Sequence, residues 1–291
     1  MSTRTVDAPE GATPPPELKP ITGPSAFGGS LKRFGSLLWL QSVTEFKAGY
    51  LHTSFGYLWS LVRPLLLFGV LLVVFTKIFR IGSDVVNYPA MLLFNIMLFT
   101  FFQEATTTAV TAVVDQENIV RKMQFPRIVI PLSIVLTAAF NLCLNMIAVF
   151  VFILIYGVEP QWTWLGLPLI LAALVVFTTC VSMFLSALYV RFRDVAIIWS
   201  VVAQILFYAS PILYPMEIIG EGEIDTLIQM NPLTPLFELV RVWIIDPGAP
   251  SVMDEAGSAI VFAIPLVLFA GICALGYWVF TREAPRIAEE L

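Results

Sequence analysis

The chain has 291 residues, a formal net charge of −5, 58% apolar side chains and only 13% charged ones. A mean hydropathy of +0.86 and a charged share about half that of soluble domains exclude an ordinary soluble fold. Acidic outer stretches, from Asp84 and Glu159 to Glu255, exclude a basic surface for nucleic acid.

Residues 1–30 carry Pro9, Pro14, Pro15, Pro16, Pro20 and Pro24 among Gly, Ser and Thr. So little apolar surface does not offset the entropy of ordering, and a disordered cytoplasmic tail is expected. No apolar h-region follows the start, which argues against a signal peptide. Over residues 31–54, Leu31, Phe34, Leu38, Trp39, Val43 and Phe46 recur at helical spacing, while Lys32, Arg33, Gln41, Glu45 and Lys47 interrupt any spanning run. This pattern predicts an amphipathic helix in the cytoplasmic interface, with Trp39 and Tyr50 at headgroup level. A plain juxtamembrane anchor fits the same spacing.

Residues 55–282 hold six apolar segments, at 60–79, 88–113, 128–156, 163–188, 195–214 and 258–280. About 20 apolar residues of helix cross a hydrocarbon core ~30 Å thick, and the absence of water there selects helices. The expected fold class is an all-α polytopic membrane protein with six transmembrane helices. Of the 16 Lys and Arg, only Lys77, Arg80 and Arg241 fall outside the side that holds both termini. That side is therefore cytoplasmic by the positive-inside rule, and residues 283–291 form a short cytoplasmic tail.

The first inner loop, residues 115–127, places Asp115 and Glu117 where an N-cap and first turn prefer acids, with Arg121 and Lys122 later and Pro126 at the end. It predicts a short charged helix parallel to the membrane; a capped surface turn is the plainer alternative. The outer loop, residues 215–257, contains apolar stretches at 224–230 and 236–245 separated by Pro232 and Pro235. Both are too short to cross. Two short re-entrant helices or a small external cap fit equally well.

Glu104 is the sharpest anomaly within a span, because an ionised acid there costs roughly 2.5–3.5 kcal/mol and must face protein or water. Gln103, Thr106, Thr107 and Thr108 are its candidate donors. Spans two and five are rich in rings, among them Phe99, Phe102, Trp199, Phe207 and Tyr208, although ordinary helix packing explains any single ring. Cys143, Cys180 and Cys273 all lie within spans and read as small buried hydrophobes, not as disulfide or metal ligands. His52, the single histidine, reads as an interfacial side chain. No metal site and no catalytic residue is expected: neither side clusters acids for metal or base chemistry. Nor do the two halves repeat with matching helix breaks, as a secondary transporter would show.

Four stretches carry a resemblance. Glu45-Phe-Lys-Ala-Gly-Tyr50 with Ser54-Phe-Gly-Tyr-Leu-Trp-Ser-Leu-Val-Arg-Pro64 resembles the lead into span one of ABC-2 type permeases that export polysaccharides. Glu117-Asn-Ile-Val-Arg-Lys-Met-Gln-Phe-Pro-Arg127, Ala209-Ser-Pro-Ile-Leu-Tyr-Pro215 and Asn231-Pro-Leu-Thr-Pro-Leu-Phe-Glu-Leu-Val-Arg241 are similar to that family's patterns in the same order, across residues 31–282. Ala48, Leu51 and His52 depart from members richer in Arg and Tyr.

The resemblance implies a half-transporter: two copies of the chain forming a path through the membrane, driven by two copies of a separate ATPase. ATP and Mg would be bound by that partner, because the chain itself has no phosphate-cradling G-x-x-x-x-G-K-[ST] loop. The residues expected to seat the ATPase are Asp115, Glu117, Asn118, Arg121 and Lys122. The glycan path is assigned to Phe99, Phe102, Glu104, Trp199, Phe207 and Tyr208, and the meeting point for a lipid pyrophosphate to Lys47 and Arg63. The implied cargo is a lipid-linked polysaccharide crossing the plasma membrane; the alternative is an ABC-2 exporter of a lipid or drug-like molecule.

Overall fold

The structure, a computed structural model, describes residues 31–50, 56, 58–80, 85–116, 127–219, 222–250 and 259–283. The expected tail at 1–30 lies outside the described residues, as do His52 and Glu117, Asn118, Arg121 and Lys122 of the inner loop. Every element among the described residues is helical. In chain order these are α1 (Leu31–Tyr50), α2 (Leu58–Val73, continued by a π turn at Val74–Ile78), α3 (Tyr88–Asp115) and α4 (Val129–Ile155). After a 3-10 turn at Trp162–Gly166 come α5 (Leu167–Arg191), α6 (Val195–Tyr208), α7 (Glu223–Gln229), α8 (Thr234–Val240, continued by a π turn at Arg241–Ile245) and α9 (Ala259–Glu283).

Five helical stretches are long and apolar enough to cross a membrane: Leu58–Ile78, Tyr88–Asp115, Val129–Ile155, Trp162–Arg191 and Val261–Glu283. The chain is thus a multi-pass membrane protein. The fifth expected span differs from the reading of the sequence. Its helix covers 14 residues, Val195–Tyr208, which is roughly 21 Å at 1.5 Å per residue and short of the ~30 Å core. Pro211 and Pro215 explain the stop, since neither has a backbone N–H to continue the ladder.

α3 is the centre of the fold. From Ala90 to Phe99 every residue is buried, on all sides of the helix, with α4 and α5 packed along its length and α2, α6 and α8 completing the enclosure. This burial explains why α3 tolerates the lowest hydropathy of the five spanning stretches: its neighbours, not lipid, surround it. α2 and α9 lie at the periphery and present Leu66, Val70, Val73, Val267 and Tyr277 outward. Exposed apolar rows of this kind carry no penalty against lipid tails.

α9 lies against α5 at very short range. A Cβ at Gly276 would stand 2.2 Å from the Cys180 carbonyl oxygen, so only glycine allows the two backbones to meet there. Cys180 and Cys273 are half-buried in this contact, whereas Cys143 is exposed on α4, contrary to the expectation of burial.

Candidate functional site

Toward the C-terminal end of α3, a polar stripe runs through Glu104, Thr108 and Asp115, one to two turns apart. With Glu45, Gln116 and Thr137 it lines a cavity of about 300 Å³ between α1, α3 and α4. Glu104 finds its donor on a different helix from the one expected: Asn141 Nδ2 of α4 donates to Glu104 Oε1 at 3.3 Å. Thr106, one of the donors anticipated for Glu104, is turned away, accepting from Trp199 Nε1 at 3.1 Å. Asp115 belongs to the last turn of α3 and not to a cap of the loop helix, and it accepts from Thr111 Oγ1 at 2.6 Å.

The aromatic residues form one connected cluster. Phe102 meets Trp199 edge-on at 6.1 Å, stacks on Phe177 at 5.9 Å and touches Phe99 at 5.8 Å. Phe99 in turn meets Phe207 at 5.3 Å, which meets Tyr208 at 5.3 Å. Five of the six residues read from sequence as a glycan path are therefore together. Phe99, Phe102 and Phe207 are enclosed, Trp199 is half-buried and Tyr208 is 55% exposed. Glu104 is not with them. Two residues along α3 from Phe102, it is rotated by about 200° and faces α4 and the cavity between α1, α3 and α4.

Beside the N-terminal half of α3, two motifs that are distant in sequence meet. Asn231 Nδ2 donates to the Ala209 carbonyl at 3.2 Å and to Ser210 Oγ at 2.9 Å, while its own Oδ1 accepts from the Leu233 N–H at 3.0 Å. Asn95 Nδ2 donates to the Pro211 carbonyl at 3.2 Å, and Tyr88 OH to the Leu213 carbonyl at 2.7 Å. Side chains thus satisfy the irregular backbone after α6, which is the condition for non-helical chain among membrane helices. Every residue of α8 except the half-buried Leu239 is buried. Arg241, 4% exposed, ties this region together with Nη2 at 2.7 Å from Glu217 Oε1 and Nη1 at 3.5 Å from Glu238 Oε2. The turn at Trp162–Gly166 clasps the far end: Thr163 Oγ1 donates to the Trp243 carbonyl, and Trp164 Nε1 to that of Ile244 at 3.1 Å.

α1 docks on α4 by Trp39 and Phe46, whose rings meet Phe140 edge-on at 5.4 and 6.0 Å. Its polar residues face inward as well. Glu45 Oε1 accepts from Gln41 at 3.1 Å, Gln116 at 3.1 Å and Ser133 at 3.4 Å. Lys47 and Arg63 are both exposed. Glu45, Gln116, Asn141, Asn95, Tyr88 and Asn231 were given no site role in the sequence. For Asn95 and Asn141 the available signal was an amide inside an apolar span, where it must find a partner.

Residues 37–245 match the family described as ABC-2 type transporter. The chain belongs to the ABC-2 type transporter family. The match runs from within α1 to the end of the π turn at Arg241–Ile245, so both motifs joined by Asn231 fall inside the ABC-2 region. Two curated relatives of this ABC-2 protein are O-antigen export system permease proteins RfbA of Klebsiella pneumoniae, 31% and 32% identical over 193 residues, 66% of this chain and 73% of the relative in each case. A third, the O-antigen export system permease protein RfbA of Myxococcus xanthus, is 25% identical over 252 residues, 85% of this chain and 92% of the relative. Relatives are named as permeases, the membrane subunits of a transporter.

Proposed function

We propose that this ABC-2 protein is the permease subunit of an ATP-driven exporter that moves a lipid-linked polysaccharide outward from the cytoplasmic side. The observation that carries the reading is the likeness to O-antigen permeases along 85% of the chain. Two copies form the path, and a separate ATPase in two copies binds ATP and Mg. Both termini lie in the cytoplasm, following the distribution of Lys and Arg, and α1 rests in the inner interface. The sixth crossing, fifth in order, is α6 completed by the side-chain-satisfied segment 209–216, with α7 and α8 re-entering from outside.

Within this reading, Trp199 and Tyr208 offer the glycan a sugar-binding edge backed by Phe99, Phe102 and Phe207. Lys47 and Arg63 meet the pyrophosphate at the inner surface. Glu104 keeps the inner half of the path wetted and works apart from the rings. Asp115, Glu117, Asn118, Arg121 and Lys122 seat the ATPase.

Charge reversal of the loop tests the proposal. Arg121→Glu with Lys122→Glu is expected to abolish surface glycan and stimulated ATP hydrolysis while leaving the chain in the membrane at normal abundance. Full export by that variant would overturn the coupling assignment.

A further inference from the structure

The polar contact between α1 and α3 is built around the residue from which the inner loop departs. Gln116 directly follows α3 and precedes residues 117–126. Its Nε2 donates to Glu45 Oε1 at 3.1 Å, and its Oε1 accepts from Gln41 Nε2 at 2.9 Å. Gln41 Nε2 also donates to the same Glu45 oxygen at 3.1 Å, which closes a triangle of three bonds. On the α4 side, Ser133 Oγ reaches Glu45 at 3.4 Å, and Thr137 Oγ1 donates to the Ser42 carbonyl at 3.2 Å.

Apolar rings such as Trp39 and Phe46 on Phe140 let a helix slide or roll, because dispersion contacts have little directional preference. Hydrogen bonds to a carboxylate are directional, and three here converge on one oxygen of Glu45, at 3.1, 3.1 and 3.4 Å. A displacement of the first loop residue is therefore handed through the triangle to α1, which is itself hydrogen-bonded to α4 through Ser133 and Thr137.

Resting on the proposed coupling loop, we infer that Gln41, Glu45 and Gln116 form the mechanical link that converts movement of the ATPase-seated loop into movement of the interfacial helix. They are positioning residues, touching neither nucleotide nor cargo. The function of the link is to admit the cargo at the inner surface in step with ATP hydrolysis.

The test uses the full transporter with its ATPase, Cys143, Cys180 and Cys273 changed to alanine, and Gln41→Cys combined with Gln116→Cys. In the reduced state this variant is expected to retain ATP hydrolysis while export falls on the order of tenfold, the size of a typical coupling between sites. A covalent cross-link between the two new cysteines replaces the lost bonds and is expected to restore export. Wild-type export in the reduced state overturns the inference, as does a verified cross-link that leaves export lost. A second pair guards against misfolding. At equal membrane abundance, Glu45→Gln, which keeps an acceptor oxygen, exports more than Glu45→Leu, and equal export by both contradicts the link. Failure of the underlying function is distinguishable, because the unmodified transporter would then show neither ATP hydrolysis nor glycan export.

Discussion

Arg241→Ala is expected to lower the stability of the folded chain by about 3–5 kcal/mol, the usual cost of leaving one partner of a buried ion pair uncompensated. The Arg241 side chain is 5% exposed and that of Glu238 2%, so loss of the guanidinium removes a cation 3.5 Å from a carboxylate with little access to water. Glu217, with its side chain 40% exposed, can be hydrated and suffers less. Two further variants separate charge from shape. Arg241→Lys keeps the charge without the fork that reaches both acids, and falls between wild type and alanine. Arg241→Leu with Glu238→Leu removes both buried charges and recovers part of the loss. Thermal unfolding in detergent, followed by tryptophan fluorescence, reads all three. Equal stability of Arg241→Ala and wild type would show that the 3-10 turn at Met216–Ile218, which carries Glu217, does not depend on this cation.

The contact between α5 and α9 predicts the second large effect. Gly276→Ala brings a Cβ within 2.2 Å of the Cys180 carbonyl oxygen and 2.9 Å of its carbon, and that obstacle is backbone that cannot rotate away. The helices must separate, at about 1–3 kcal/mol for overpacking and more for Gly276→Val. Gly271 supplies the control on the same helix, since nothing lies within 4 Å of its Cβ position. Gly271→Ala is expected to be stabilising by about 0.4–1 kcal/mol through the unfolded chain. The two alanine variants therefore move the melting temperature in opposite directions. Movement in the same direction would contradict the close approach.

Long apolar runs made five of the spanning helices legible in the sequence, because length and composition alone decide what crosses a bilayer. The fifth segment was read too long. Ile212 and Leu213 extend its apolar run beyond Tyr208, and Pro211 and Pro215, the residues that end the helix, carry the contrary signal. Aromatic residues were recognised as a group, and five of the six path candidates gather in space, yet α3 turns Glu104 away from them. What stayed hidden was pairing across distance. Asn231 with Ala209, Asn141 with Glu104, and Gln116 with Glu45 join residues 22, 37 and 71 positions apart, and a single sequence carries no mark of who meets whom. The polar face of α1 was hidden for a related reason: Gln41 and Glu45 looked like interruptions of an apolar pattern until their partners on α3 and α4 were in view.

The most direct measurement of the exporter account is the composition of the complex purified in mild detergent from the native membrane. The account predicts an ATPase with a phosphate-binding loop, present at one copy per copy of this chain. Recovery of the chain alone, under conditions that keep other such transporters whole, would contradict it.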